Sequence, residues 1–133
     1  IVMSDLDHFR RINEGFSMEM GDRAIIEVAK IFKKVCREKD IIARLGGDEY
    51  TLVLPDTDKA TAMRLCEEAC AEVRKIDILK DLNGPLKQFT LSLGVSTFPD
   101  DAQDVNTLKQ KADKALYVAK ESGRDRVVGS MSE

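Results

Sequence analysis

Cysteine and histidine are scarce: Cys36, Cys66, Cys70 and His8 are the only ones in 133 residues. An odd cysteine count with no C-x-x-C pair and a single histidine excludes a disulfide framework and a thiolate zinc site. The natural expectation is a reducing, cytoplasmic setting, with Cys66 and Cys70 structural on one helical face. No long apolar run and no charged-then-apolar leader occurs, so this stretch is expected neither to span a membrane nor to carry a signal peptide. Positive charge is not in excess either. The 21 Lys and Arg against 24 Asp and Glu give a net charge of −3, which argues against wrapping a nucleic-acid duplex. A local basic cluster would still suffice for a small phosphorylated ligand. Finally, there is no start methionine: the chain opens in the apolar stretch Ile1-Val2-Met3. It reads as a piece of a longer parent, which could itself be membrane-anchored.

With 43% hydrophobic residues, the chain can bury one substantial core, and 1–133 is expected to be a single domain. Ile1-Val2-Met3 reads as a buried strand ending at Asp5. After the polar segment Ser17 to Asp22, Ile25, Val28, Ile31, Phe32 and Val35 recur at helical spacing. Ile41–Leu45 and Tyr50–Leu54 flank Gly46-Gly47-Asp48-Glu49, placing that tetrad at the tip of a hairpin. Ala62, Leu65, Cys66, Ala69 and Val73 mark a second amphipathic helix, with Asp56 or Thr57 as its cap. Asn83-Gly84-Pro85 is a turn. From Phe89 to Ser96, apolar residues alternate with Thr90, Ser92, Gly94 and Ser96, the pattern of a half-covered strand. A last helix runs from about Val105 to Ser122, with Leu108, Ala112, Leu116 and Ala119 inward and Gly123 as its stop, before a short strand at Val127-Val128. This order predicts an α/β sandwich of the α+β kind, with helices flanking a mostly antiparallel central sheet.

Two acidic clusters stand out, Asp5-Leu6-Asp7 at a strand end and Asp48-Glu49 at the hairpin tip. If their strands are neighbours, the carboxylates converge. Magnesium takes carboxylate and carbonyl oxygens together with water and substrate phosphates, so such a cluster suits a nucleotide-bound metal. Taken singly, each acid is an ordinary strand-end or turn residue.

Gly46-Gly47-Asp48-Glu49-Tyr50 resembles the signature of the diguanylate cyclase (GGDEF) family. Asp5-Leu6-Asp7-His8-Phe9-Arg10-Arg11-Ile12-Asn13, Gly21-Asp22 and Ala119-Lys120-Glu121-Ser122-Gly123-Arg124 fit the same family in the right order. The resemblance implies a nucleotidyl cyclase fold, similar to a polymerase palm, and the condensation of two GTP into cyclic di-GMP with Mg2+ or Mn2+. By position it implies that the Asp5 carboxylate, the Leu6 carbonyl and the Asp48 carboxylate hold the metal. Glu49 would hold a second metal or help deprotonate the attacking hydroxyl, making Asp48 and Glu49 the catalytic pair. Gly46 and Gly47 would let the nucleotide approach the backbone. Asn13 and Asp22 would read the guanine edge. The backbone near Phe9 and Arg10, with Lys120 and Arg124, would hold the terminal phosphates.

The same resemblance implies a homodimer, because each subunit binds one GTP and the two must face each other. Arg37 and Asp40, the ends of an Arg-x-x-Asp motif separated from Gly46 by the five residues 41–45, would form a product-inhibition site for cyclic di-GMP. Tyr50 stands where the family usually has phenylalanine, so its hydroxyl must find a partner if buried. The family's upstream helix and Asp-x-Leu-Thr turn are not in this sequence, and an N-terminal sensory domain is expected in the parent. Two alternatives remain: a catalytically weak module that senses GTP or cyclic di-GMP through partner contacts, and another nucleotidyl-transfer enzyme, for which no basic template track is evident.

Overall fold

The computed structural model describes residues 1–80, 82, 84 and 86–131; Asn83 and Pro85 of the predicted turn lie outside them. Nine elements follow in order: β1 (Val2–Leu6), α1 (Phe9–Gly15), α2 (Met18–Val35), β2 (Ile41–Gly46), β3 (Glu49–Val53), α3 (Lys59–Arg74), β4 (Leu91–Val95), α4 (Val105–Glu121) and β5 (Arg126–Gly129). The strands form one sheet in the order β2-β3-β1-β4-β5. Three pairings are antiparallel and only β4 with β5 is parallel. Parallel neighbours require a crossover, and α4 supplies it. The α/β class and the mostly antiparallel sheet are therefore as predicted.

Every residue of β1 is buried because it is central in the sheet and covered on both faces. On one face Val2, Leu6, Tyr50, Leu52, Leu91, Leu93 and Val95 meet Ile25, Val28 and Phe32 of α2 and Leu65, Cys66 and Val73 of α3. Phe32 and Tyr50 meet edge to face with ring centroids 5.3 Å apart. The Tyr50 hydroxyl donates to the Ile25 carbonyl oxygen at 3.1 Å, which supplies the partner its burial demands. On the other face α4 covers Met3 with Ala112 and Leu116.

This second cover corrects the reading of β4 as half-covered: every residue from Leu91 to Val95 is buried. The polar alternation reflects close packing rather than solvent. Gly94 brings the α4 backbone directly onto the strand, the Ser96 hydroxyl donates to the Leu108 carbonyl oxygen at 2.6 Å, and Ser92 bonds Asp7. Helix boundaries also shift. The cap of α3 is Asp58, which accepts from the Thr61 amide at 2.8 Å; Asp56 instead takes a left-handed turn conformation with φ 50°, and Thr57 bonds Arg37. Helix α2 starts at Met18, capped by the Ser17 hydroxyl, so most of the predicted polar segment is its first turn. No described helix is long and apolar enough to cross a membrane.

Candidate active site

The antiparallel register places Asp5 of β1 opposite Glu49 of β3 on one flank and Ser92 of β4 on the other. Directly opposed residues share a face, so Asp5 and Glu49 look toward the side that α4 covers. The β2–β3 hairpin turns at Gly46 (φ 143°) and Gly47 (φ 52°), conformations that favour glycine. A Cβ at either would meet nothing within 4 Å. The tip is thus exposed backbone with open space around it. Asp48 follows in the turn, and its carbonyl accepts from the Leu6 amide at 3.3 Å, stitching the tip to the end of β1.

That stitch brings Asp48 beside Asp5. Burial, and then hydrogen bonding and charge from the Asp5 carboxyl, push Asp48 up to about 7. Two carboxylates this close in a partly dry site cannot both ionise easily without a cation. The Lys120 ammonium, from the last turn of α4, meets Asp5 Oδ2. Asp5 Oδ1 is buried and accepts no hydrogen bond among the described residues. A buried carboxylate oxygen with no donor, beside a second carboxyl held partly protonated, fits a hard divalent cation. Among the described residues no three His, Cys, Asp or Glu side chains gather as a complete ligand set. The available donors are Asp5, Asp48 and the Leu6 carbonyl, which suits an ion that completes its shell with water and phosphate oxygens. Glu49 is exposed at the start of β3.

Asp5, Leu6, Phe9, Arg10, Asp48, Lys120 and Arg124 line one open cavity of about 290 Å³. A different cavity, lined by Ile1, Val53, Pro55, Phe98 and Leu108 among others, lies at the opposite end of β1 and has no such pair of carboxyls converging on it. Phe9 and Arg10 begin α1, a helix the sequence reading missed. It opens at His8 with φ 63° and no side-chain cap. Phe9, Ile12 and Phe16 were its only periodic signal. Arg10 pairs with Glu14 at 3.3 Å on an exposed surface. Asn13 is placed by packing of α1 on α2: a Cβ at Gly21 would collide with its side-chain oxygen, so the glycine admits the amide beside Asp22. The two residues predicted to read guanine are brought together, with Asp22 exposed on α2.

Asp7 stands in the same acidic cluster of the sequence and borders the same cavity, yet its carboxylate oxygens are already taken. It accepts from Thr90 Oγ1 at 2.7 Å, Ser92 Oγ at 2.8 Å and the Asp125 amide at 3.0 Å. No local pattern announces these partners, which lie more than 80 residues away in sequence.

Arg37 and Asp40 come together outside this cavity. The Arg37 guanidinium grips both Asp40 oxygens, at 3.0 and 2.8 Å, the Arg37 amide donates to Oδ2 at 2.8 Å, and Arg37 also meets the Thr57 hydroxyl. Burial opposes ionisation of Asp40, but these bonds hold its carboxyl below the usual range. Arg37 borders an open cavity with Thr61, Arg64 and Glu68 of α3. The thiols are inert by comparison: burial pushes Cys36 up to about 11 and Cys70 up to about 12.

Comparisons with known proteins bear on the family and the fold. The family model described as diguanylate cyclase, GGDEF domain, matches residues 1–126. Diguanylate cyclase A of Treponema denticola is 38% identical over 127 residues, covering 96% of this chain and 34% of its own length. The probable diguanylate cyclase DgcT of Escherichia coli K12 is 33% identical over 128 residues, covering 96% and 28%. This chain therefore spans about a third of the length of such relatives. Among solved structures, the active GGEEF domain of a diguanylate cyclase from Vibrio cholerae superposes with TM-score 0.89 at 28% identity, covering 99% of this chain and 82% of that one. The GGDEF domain of DgcB from Caulobacter crescentus, in complex with c-di-GMP, gives 0.85 at 27%, covering 97% and 75%. A family match across nearly the whole chain means that this chain belongs to the diguanylate cyclase, GGDEF domain, family.

Proposed function

We propose that this chain condenses two GTP molecules into cyclic di-GMP with release of two pyrophosphates, using Mg2+ or Mn2+. The observation that carries the reading is the buried Asp5 Oδ1, without a hydrogen-bond donor among the described residues, beside the Asp48 carboxyl of the open glycine turn and beneath Lys120. A divalent cation there supplies charge neutralisation on the phosphates and acidifies the attacking 3′-hydroxyl. Asp5, Asp48 and the Leu6 carbonyl would hold it. Lys120, freed from Asp5, and Arg124 would turn to the phosphate oxygens, with the backbone amides at the start of α1. Glu49, exposed and level with Asp5, would take the proton or a second ion. Asn13 and Asp22 would bind the guanine edge, the carboxylate accepting from its N1 and N2 donors. With one nucleotide per chain, the 3′-hydroxyl of one GTP meets the α-phosphate of another only when two copies face each other, so a homodimer is part of the proposal. An upstream sensory segment and a cytoplasmic location, where GTP is supplied, complete it.

The test is incubation of the purified protein at high concentration with GTP and Mg2+, with chromatographic identification of products. Cyclic di-GMP supports the cyclase. Tight binding of GTP or cyclic di-GMP without turnover would replace it with a sensing module.

Arg37 and Asp40 are proposed as a product-inhibition site: Asp40 and Thr57 engage the Nε and Nη2 donors of Arg37 and fix its guanidinium, so that its charge and its Nη1 donors would meet a phosphate or guanine oxygen at little entropic cost. The Arg37→Ala variant is expected to need about tenfold or more cyclic di-GMP for half-inhibition, with its uninhibited initial rate retained. Initial rates against added product check this; an unchanged inhibition curve removes the site.

A further inference from the structure

We infer that Asp7 is a positioning residue for the phosphate-binding turn at Arg124 and not a ligand of the metal. Both Asp7 oxygens are occupied: Oδ2 accepts from Thr90 Oγ1 and the Asp125 amide, and Oδ1 from Ser92 Oγ, with Arg124 Nε 3.9 Å away. Asp7 is only 3% exposed. It therefore differs from Asp5, whose Oδ1 has no donor among the described residues.

The segment it holds is one that would not hold itself. Gly123, Arg124 and Asp125 follow one another at φ 123°, 62° and 49°, and two of the three carry a Cβ that disfavours this region. Such backbone persists only where its surroundings over-determine it. Three anchors do so: the Arg124 amide donates to the Ala119 carbonyl oxygen at 2.9 Å, Asp7 takes the Asp125 amide, and Arg74 of α3 grips the Asp125 carboxylate at 2.9 and 3.1 Å. Asp5 and Asp7 are two residues apart on one chain segment. A single stretch of backbone thus sets the separation between the metal-directed carboxylate and the turn that carries Arg124.

The inference rests on the reading of Lys120 and Arg124 as phosphate ligands. It is tested by calorimetry on the chain, Asp7→Asn and Arg74→Ala, using GMP and a GTP analogue with methylene in place of the α–β bridging oxygen. Mn2+ binding is followed separately by electron paramagnetic resonance. The unaltered chain should prefer the triphosphate; no preference would overturn the phosphate reading and this inference with it. Asp7→Asn should weaken the analogue about tenfold and leave GMP and Mn2+ binding unchanged. Arg74→Ala, at the surface and remote from the metal, should weaken the analogue about threefold in the same selective way. Equal loss for both nucleotides, a fall in Mn2+ affinity, or an unaltered triphosphate preference in Asp7→Asn would each overturn the inference. If Asp7→Asn does not fold, an unaltered preference in Arg74→Ala does so alone.

Discussion

The Asp48→Asn variant is expected to lose cyclic di-GMP synthesis by on the order of a thousandfold and, without metal, to melt at a higher temperature than the unaltered chain above pH 7. Both effects have one origin. Asp48 is pushed up to about 7 by burial and by Asp5, so its ionised form is unfavourable in the folded chain until a cation arrives. An amide removes the unfavourable charge and with it the donor the cation needs. Between pH 4 and 7 the unfolded chain has released this proton while the folded chain keeps it, so the unaltered chain loses stability as pH rises through that window. The advantage of Asn should therefore grow from pH 4 to about 7 and stay level beyond. Because the group is half-exposed and screened, the gain is about 1 kcal/mol, or ~3 °C. Added Mg2+ should reverse the order, raising the melting temperature of the unaltered chain and leaving Asp48→Asn where it was. The same proton makes synthesis rise with pH through about 7 at low Mg2+, the midpoint moving down as Mg2+ is raised. A variant that keeps its activity, or melting temperatures that do not cross on adding Mg2+, would remove Asp48 from the metal site.

The parts of this molecule legible in its sequence are those whose signal is local. Helices α2, α3 and α4 each repeat apolar residues over three turns or more, and the hairpin is marked by Gly46-Gly47 between β-rich runs. Helix α1 was not, because its seven residues carry barely two turns of pattern and no cap, and a helix that short depends on packing against α2. The outer face of β4 misled for a different reason. Small and hydroxyl-bearing residues look solvent-directed, yet Gly94, Ser92 and Ser96 are what allow a helix backbone and a buried carboxylate to approach. In the site, the grouping of Asp5, Asp48 and Lys120 followed from motifs, while their physical convergence depends on β1 lying between β3 and β4, which no short window of sequence specifies. Asp7 shows the limit most clearly. Its type and position match those of Asp5, and only partners from β4 and the Gly123–Asp125 turn give it a separate task.

Replacing Gly94 by Ala is expected to cost at least about 3 kcal/mol, the upper range for overpacking and a large part of the ~5–15 kcal/mol that holds a domain folded. The new Cβ would collide with the Ala112 carbonyl oxygen and the Leu116 amide nitrogen and lie 2.9 Å from the Ala115 carbonyl carbon. All three are backbone atoms of α4, so no side chain can swing aside; the helix must move. Strand propensity pulls the other way, since glycine is the poorer strand residue, and the collision should outweigh it several times over. Gly129, on neighbouring β5, separates the two effects. A Cβ there would meet Met63 Sδ at 3.3 Å and Lys59 Cδ at 3.5 Å, the ends of flexible side chains, so Gly129→Ala should change stability by less than about 0.5 kcal/mol. Urea titration of both variants measures the contrast. Because α4 also carries Lys120 onto Asp5, any Gly94→Ala protein that still folds should bind GTP poorly, with guanine contacts from α1 and α2 intact. If Gly94→Ala and Gly129→Ala prove equally stable, α4 does not rest on β4 as described, and the placement of Lys120 over the metal-directed carboxylates falls with it.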